Sequence, residues 1–476
     1  MRRRTRLAAA AIALLCVFTL VAGVAVARLL PRRLALWQPP GIAAAHLAGS
    51  EQVLGSASLT TAKARATSPG VSRAITPLVS SRVFGPRLGV LVTDLASGQV
   101  LYASNATTGF TPASTTKLAT SLAALHTLGP NARFTTKVVA GHGANSIVLV
   151  GGGDPTLGAG SPPAVDYPQP ATLKELAKST AQALKARGRH GVQLGYDTSL
   201  YNGPLLGPGW PASYVSTGNV SAITALSADQ GRVTASGAPA DTESSGGLRA
   251  ADPAVEAAAA FAGFLAADGI RVTGGPASVT APRGARTLAS VQSPPLTQIV
   301  HWMLEASNNV IAENLARHVA IATGRAPTFA GGAAAVTAVL HGLGVGGVLS
   351  LNDGSGLSPL NQISPATLVR LVALAVTRPQ LRLVLGALPV EGFSGTLGLG
   401  GSVFGLGGPT GMGMVRAKTG NLSTVAALAG TVSAKNGQLL GFAIMADQIN
   451  ARPGALVNAA TAMVNVASTL AGCGCR

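Results

Sequence analysis

Lysine is scarce in this chain. Only eight of its 35 basic residues are Lys, at positions 63, 117, 137, 174, 178, 185, 418 and 435, and the other 27 are Arg. Arg stays protonated in proteins, whereas a buried Lys can lose its proton and act as a base. A chain with this bias marks its few lysines as candidates for chemistry that Arg cannot perform. Cysteine is scarcer still, with Cys16, Cys473 and Cys475 the whole supply. A ring closed between Cys473 and Cys475 would be strained, so no disulfide framework is expected and stability has to come from a buried core. Aromatics make up 4% of the chain and no Lys/Arg block is interleaved with them, which argues against nucleic acid as a partner. The seven His show neither H-x-H nor H-E-x-x-H spacing, so no metal is expected, and no motif requires a cofactor. Acidic residues are few as well: 17 against 35 basic, a formal net charge of +18. That excess either suits an anionic partner such as a membrane surface or cell-wall polymer, or reflects an Ala-, Gly- and Arg-rich composition.

At 476 residues the chain has room for two or three domains. Arg2, Arg3, Arg4 and Arg6 precede an uncharged run, Leu7–Ala27, that ends before Arg28, Arg32 and Arg33. A run of this length spans a bilayer as a helix, and the Arg cluster keeps the N-terminus cytoplasmic. Ala25-Val26-Ala27 also resembles a signal-peptidase site. Residues 1–33 therefore read as a cytoplasmic arm with a membrane anchor, or as a cleaved export signal. Both place the remainder outside the cytoplasm. Residues 34–70, rich in Ala, Ser, Pro and Gly, read as a tether, with order beginning near Val71.

Beyond the tether, Leu88–Leu95 and Gln99–Ser104 predict a β-hairpin. Leu118, Leu122, Leu125 and Leu128 recur at helical spacing, and Gly129-Pro130 ends that helix. Ser114 thus falls at a helix start, with Lys117 one turn in. Short strands are predicted near Phe134–Val139 and Ile147–Val150, and helices near Leu173–Lys185 and Pro253–Ala267. One long apolar helix is predicted over Leu296–Thr323, carrying Ser307-Asn308-Asn309 in its middle. Ser364-Pro365 and Arg378-Pro379 bracket another. A strand over Gly413–Lys418 then leads into a hairpin of Thr424–Val432 and Gln438–Met445, and Ala455–Leu470 closes the chain as an amphipathic helix.

Three motifs stand out. In Ser114-x-x-Lys117 the two side chains share a helix face, and the helix N-terminus favours both a depressed Lys pKa and a developing oxyanion. Ser307-Asn308-Asn309 interrupts an apolar helix with residues that prefer local backbone hydrogen bonds. Lys418-Thr419-Gly420 lies at a strand end. Each has a structural alternative on its own: a solvated Lys beside an N-cap, a helix irregularity, a turn after an edge strand. Together, and in this order, they form the motif set of penicillin-interacting serine enzymes. Asp154 and Asp353 lie in Gly-rich turns, where Asx-type bonds are the first expectation.

With Phe110-Thr-Pro-Ala-Ser-Thr-Thr-Lys117, Gly151-Gly-Gly-Asp-Pro155, Asp353-Gly-Ser-Gly-Leu-Ser358, Leu388-Pro-Val-Glu-Gly392, Gly395-Thr-Leu397 and Ala417-Lys-Thr-Gly420, the chain resembles the D-alanyl-D-alanine carboxypeptidases of the class C penicillin-binding protein family, the S13 peptidases, from about residue 85 to 450. The resemblance implies an α/β (α+β) fold of the penicillin-binding transpeptidase and β-lactamase type, an antiparallel sheet flanked by helices. It also implies a catalytic domain split into 71–141 and 288–476 by an accessory domain at 142–287. Ser114 and Ser307 stand 193 positions apart, and Ser307 and Lys418 stand 111 apart. A compact β-lactamase has no room for the first interval, although this insert is shorter than the family's usual pair. After Glu313 no Glu appears until Glu391, which argues against an efficient class A β-lactamase.

The same resemblance implies the roles. Ser114 attacks the bond between the last two D-alanines of a peptidoglycan stem peptide, Lys117 acts as base, and Ser307 relays a proton to the leaving D-alanine. Asn309 binds the substrate backbone, Lys418 and Thr419 hold the terminal carboxylate, and Gly420 lets the substrate strand lie close. The oxyanion meets the backbone N–H groups of Ser114 and Asn421. Asn421 departs from the Thr or Ser common after Lys-Thr-Gly, which puts substrate preference in question. β-Lactams would be covalent inhibitors. DD-endopeptidase action on cross-links shares every catalytic residue, and a non-catalytic wall-binding protein on the same fold is the remaining alternative.

Overall fold

The computed structural model describes residues 65–160, 168–233, 247–399 and 403–473. The expected membrane segment, most of the tether, Cys16 and Cys475 lie outside them. The chain enters its fold slightly earlier than the composition suggests. Helix α1 spans Ser68–Val79, with Thr67 as N-cap accepting from Gly70 N and Pro69 in the first turn. Arg65 reaches Asp94 at 2.6 Å, and Ala66 N donates to Gln438. Residues 65–70 are therefore docked, because a cap and two side-chain contacts outweigh a tether-like composition.

Two antiparallel strands follow, β1 (Leu88–Asp94) and β2 (Val100–Ser104). A 3-10 turn over Ala113–Thr115 then feeds α2 (Thr116–Leu128). Beyond them β3 (Thr135–Ala140), β4 (Ser146–Val150), α3 (Leu173–Lys185) and β5 (Gly191–Asp197) begin a second sheet. It continues through α4 (Pro253–Ala267), the short β6 (Arg271–Val272) and β7 (Ala277–Ser278), and β8 (Thr287–Gln292). The sheet runs in the order β6-β5-β4-β3-β8, with β7 also on β5. Its core is formed by α3 and α4 against β3, β4 and β5, with Leu176, Leu184, Phe261 and Leu265 fully buried. Strands β3 and β8, assigned by sequence to the flanks of the catalytic domain, are ladder partners within this second sheet.

The return leg differs from expectation. In place of one helix over Leu296–Thr323 there are two, α5 (Leu296–Glu305) and α6 (Asn309–Ala322). Ser307 takes φ +57, and the Asn308 side chain accepts from Ile311 N to cap a new helix. Local side-chain bonding by Asn outcompetes helix continuation here. Helix α7 (Phe329–Gly342), an Ala/Gly-rich element, had no clear periodic pattern. It precedes the two-stranded β9 (Leu349–Ser350) and β10 (Gln362–Ile363), then α8 (Pro365–Thr377).

The last elements are β11 (Val415–Leu422), β12 (Val425–Ser433), β13 (Leu439–Ala446) and α9 (Ala455–Gly472). They complete a five-stranded antiparallel sheet ordered β11-β12-β13-β1-β2, with β11 at the edge. Residues on this sheet alternate between two cores, as a period of two requires. Leu91, Ala427, Ala429, Ala443 and Met445 face α8 and the other helices on one side. Val90, Val92, Leu428, Phe442 and Ile444 face α1 and α9 on the other. Each such buried Leu, Val or Phe contributes about 1.5–3 kcal/mol. Small Ala residues on the first face let α8 lie close. Among the described residues α9 alone has the length and apolarity to cross a membrane, but half of it is buried inside this fold.

Candidate active site

The 3-10 turn before α2 bends sharply, with Ala113 at φ +46. It is held by Thr115 Oγ1 donating to Pro112 O and Thr116 Oγ1 donating to Ala113 O. Ser114 therefore stands on a braced turn two residues before the helix, and Lys117 follows on the first helical turn. Lys117 is fully buried. Its Nζ donates to Ser114 Oγ at 2.7 Å, to Asn309 Oδ1 at 2.7 Å and to the Ser355 carbonyl at 2.8 Å. Burial pushes its pKa down to about 7, against the opposing pull of the Asp353 and Glu313 carboxylates. An amine with that pKa is neutral in a large fraction of molecules at neutral pH, and a neutral amine accepts a proton.

Asn309 reaches the amine because the helix break places it at the first position of α6 rather than mid-helix. Its Nδ2 donates to Asn219 O at 2.8 Å, which leaves a second N–H of the amide for a ligand. Asn308 donates to Gln230 Oε1 at 2.8 Å. Both acceptors come from the segment between β5 and α4, so the residues after β5 roof the site. Trp210 from the same segment donates to Asp353 Oδ2 at 2.8 Å, and Pro208 O accepts from Ser358 Oγ at 2.6 Å.

Lys418-Thr419-Gly420 lies within β11 rather than at its end. The ladder to β12 continues to Leu422↔Val425, where a two-residue turn closes the hairpin. Lys418 is fully buried, donates to Thr419 O at 3.0 Å, and is held well below the usual amine range by burial and by the positive charge of Lys117. Thr419 Oγ1 lies 2.6 Å from Thr396 Oγ1. Gly420 faces the turn that carries Ser114. A Cβ there would stand 2.8 Å from Pro112 O and 2.9 Å from Ser114 N. Only Gly fits a strand passing this close to backbone. Asn421, next along the strand, is exposed.

The structure thus brings Ser114, Lys117, Asn309 and Gly420 into one cluster, with Lys418 close enough to feel the charge of Lys117. Ser307 sits at the bend between α5 and α6, two residues before Asn309. Asp154 makes the expected turn, accepting from Thr156 N and Oγ1, and burial raises its carboxyl to about 6. Asp353 does more than an ordinary turn residue. It accepts from Gly356 N, Ser358 N, Asn361 Nδ2 and Trp210 Nε1, and so fixes the turn whose Ser355 carbonyl meets Lys117. Sequence reasoning missed Asn219, Gln230, Trp210 and Glu313 as contributors. Only Glu313 carried a signal: it stands four residues after Asn309, on the same helical face.

The chain matches the model of the D-Ala-D-Ala carboxypeptidase 3 (S13) family over residues 78–246 and 236–470, and it belongs to that family. A carboxypeptidase of Mycobacterium tuberculosis is 37% identical over 372 residues, covering 76% of each chain. Carboxypeptidase DacB of Mycolicibacterium smegmatis is 35% identical over 367 residues, covering 75% of this chain and 76% of that one. In structure the chain resembles penicillin binding protein 4 of Haemophilus influenzae, with a TM-score of 0.66 and 23% identity over 83% of this chain and 98% of that one. That likeness establishes the fold class expected from the sequence.

Proposed function

We propose that this protein is a serine DD-peptidase that removes the terminal D-alanine from peptidoglycan stem peptides through an acyl-enzyme, and that β-lactams inhibit it. One observation carries the reading: a buried amine of lowered pKa lies 2.7 Å from the hydroxyl of Ser114, the geometry of a nucleophile beside its base. Family membership and the names of the 37% and 35% identical relatives support it.

In this reading neutral Lys117 takes the proton of Ser114 Oγ as that oxygen attacks the carbonyl of the penultimate D-alanine. The oxyanion meets the backbone N–H groups of Ser114 and Asn421. Ser307 would relay that proton from Lys117 to the departing amine of the terminal D-alanine, and water then hydrolyses the ester. Asn309 uses its remaining N–H on the substrate backbone. Lys418 and Thr419 hold the terminal carboxylate, and Gly420 admits the substrate strand against β11. A β-lactam would form the same ester but keep its leaving group attached, blocking the water. Residues 142–287, together with β3 and β8 that pair in the same sheet, would act as an accessory unit that carries the roof of the site. The Arg-flanked N-terminal run would hold the enzyme at the outer face of the cytoplasmic membrane.

The direct test is release of D-alanine from a stem pentapeptide, read by D-amino-acid oxidase. Wild type is expected to release it and folded Ser114→Ala not to. A folded wild type that releases none would contradict the proposal.

A further inference from the structure

Glu313 stands one helical turn beyond Asn309 on α6 and is fully buried. Its carboxylate accepts from the backbone N–H of Gly354 at 3.1 and 3.2 Å and of Ser355 at 2.8 Å. The carbonyl of that same Ser355 is the third acceptor of Lys117 Nζ. One carboxylate therefore grips the residue that grips the amine. Behind it Arg317 closes an ion pair at 3.7 Å. Arg317 is itself buried, 4.0 Å from the Phe329 ring centroid and 5.5 Å from that of Tyr201. A buried ion pair is weak evidence for stability, because desolvation offsets most of the attraction. Within the same turn Asp353 accepts from Gly356, Ser358 and Asn361, so the two carboxylates divide the donors of the turn between them.

We infer that Glu313 is a positioning residue for the base: it fixes the Gly354–Ser355 segment that orients Lys117, and its negative charge sets the pH at which Lys117 becomes neutral. The inference rests on the reading of Ser114 and Lys117 as nucleophile and base. The charged groups acting on Lys117 are Glu313 from α6 and Asp353 from the turn, and Lys418 of β11 lies within range of its charge. Those facing Glu313 are Asp353, Lys117 and Arg317. Burial and the Asp353 charge push Glu313 up to about 7, opposed by Arg317. While ionised, Glu313 raises the Lys117 pKa, so losing its charge lets that pKa fall further.

The test is the pH dependence of acylation by a fluorescent penicillin, measured on the full chain in detergent from about pH 5 to pH 9. Wild type, Glu313→Gln and the double variant Glu313→Gln/Arg317→Met are compared. The double variant removes both buried charges, so it keeps the test available if Glu313→Gln alone leaves Arg317 uncompensated and fails to fold. The acidic limb is expected to move down by roughly half a pH unit or more in either folded variant, with the plateau rate reduced about tenfold. A limb unchanged from wild type in the folded variants overturns the inference, whatever happens to the plateau, since a purely structural residue would lower the plateau alone. A folded wild type that never acylates overturns both this inference and the reading beneath it.

Discussion

Gly420 lies so close to Ser114 that a single methyl group could not be inserted between them: a Cβ on Gly420 would stand 2.9 Å from the Ser114 amide nitrogen. The edge strand and the turn that carries Ser114 thus pack backbone to backbone, an approach that a side chain at residue 420 would prevent.

Gly420→Ala is therefore expected to fold with a stability loss of about 1–3 kcal/mol from overpacking against backbone. It should lose at least about a hundredfold in penicillin acylation rate, because about 1 Å of displacement at a reacting centre costs that much. Thermal unfolding beside acylation kinetics checks both. An Ala variant acylating at the wild-type rate would show that the close approach is incidental.

Acylation should follow the neutral fraction of Lys117, with its acidic limb centred near pH 7 and rate rising with pH above it. Lys117→Arg, which keeps the charge but cannot deprotonate, should not acylate at any pH in that range. The same depressed pKa has a stability consequence. Between pH 7 and 10.5 the unfolded chain holds a proton that folded Lys117 has released. Stability from this group therefore rises with pH through that window and is lost as the pH falls through it. Denaturant titrations at several pH values measure the slope, and Lys117→Met should flatten it.

Ser307 occupies φ +57, a conformation that Gly adopts without strain. Ser307→Gly should unfold at or near the wild-type temperature, whereas Ser307→Val should be destabilised by about 1–3 kcal/mol. Both should turn over a D-Ala-D-Ala peptide about a hundredfold more slowly, the contribution of one proton-transfer group. Steady-state D-alanine release on the Gly variant separates the hydroxyl from the backbone. Unchanged turnover there would remove Ser307 from the reaction.

Asn308 caps α6 through Oδ1 and ties it to Gln230 through Nδ2. Asn308→Ala should cost about 0.5–2 kcal/mol from the lost cap. It should also loosen the roof over the site, raising KM for the peptide more than it lowers kcat.

Much of this architecture was legible from local pattern. Leu118, Leu122 and Leu125 marked α2, a cap and a proline bracketed α8, and the turn sequence Ala434-Lys-Asn-Gly437 between two apolar runs marked the β12–β13 hairpin. Three motifs named most of the residues that cluster around Ser114. What stayed hidden depends on contacts between segments distant in sequence. The division of the long helix at Ser307 hinges on whether Asn308 caps a new helix or points to solvent, which periodicity cannot decide. Helix α7, Phe-Ala-Gly-Gly-Ala-Ala-Ala, buries its face with Ala and Gly and so has almost no amphipathic contrast. The docking of residues 65–70 depends on Asp94 and Gln438, far along the chain. The roles of Asn219 and Gln230 come from main-chain and amide groups that any loop sequence could supply.

A Ser114 nucleophile activated by Lys117 predicts a single covalent penicillin adduct. The most direct measurement is mass spectrometry of the full chain after reaction with penicillin, with peptide mapping of the adduct. A single adduct on the peptide carrying Ser114, absent from folded Ser114→Ala and Lys117→Arg, is the predicted result. An adduct mapped to another residue, or none on a folded wild-type protein, would contradict it.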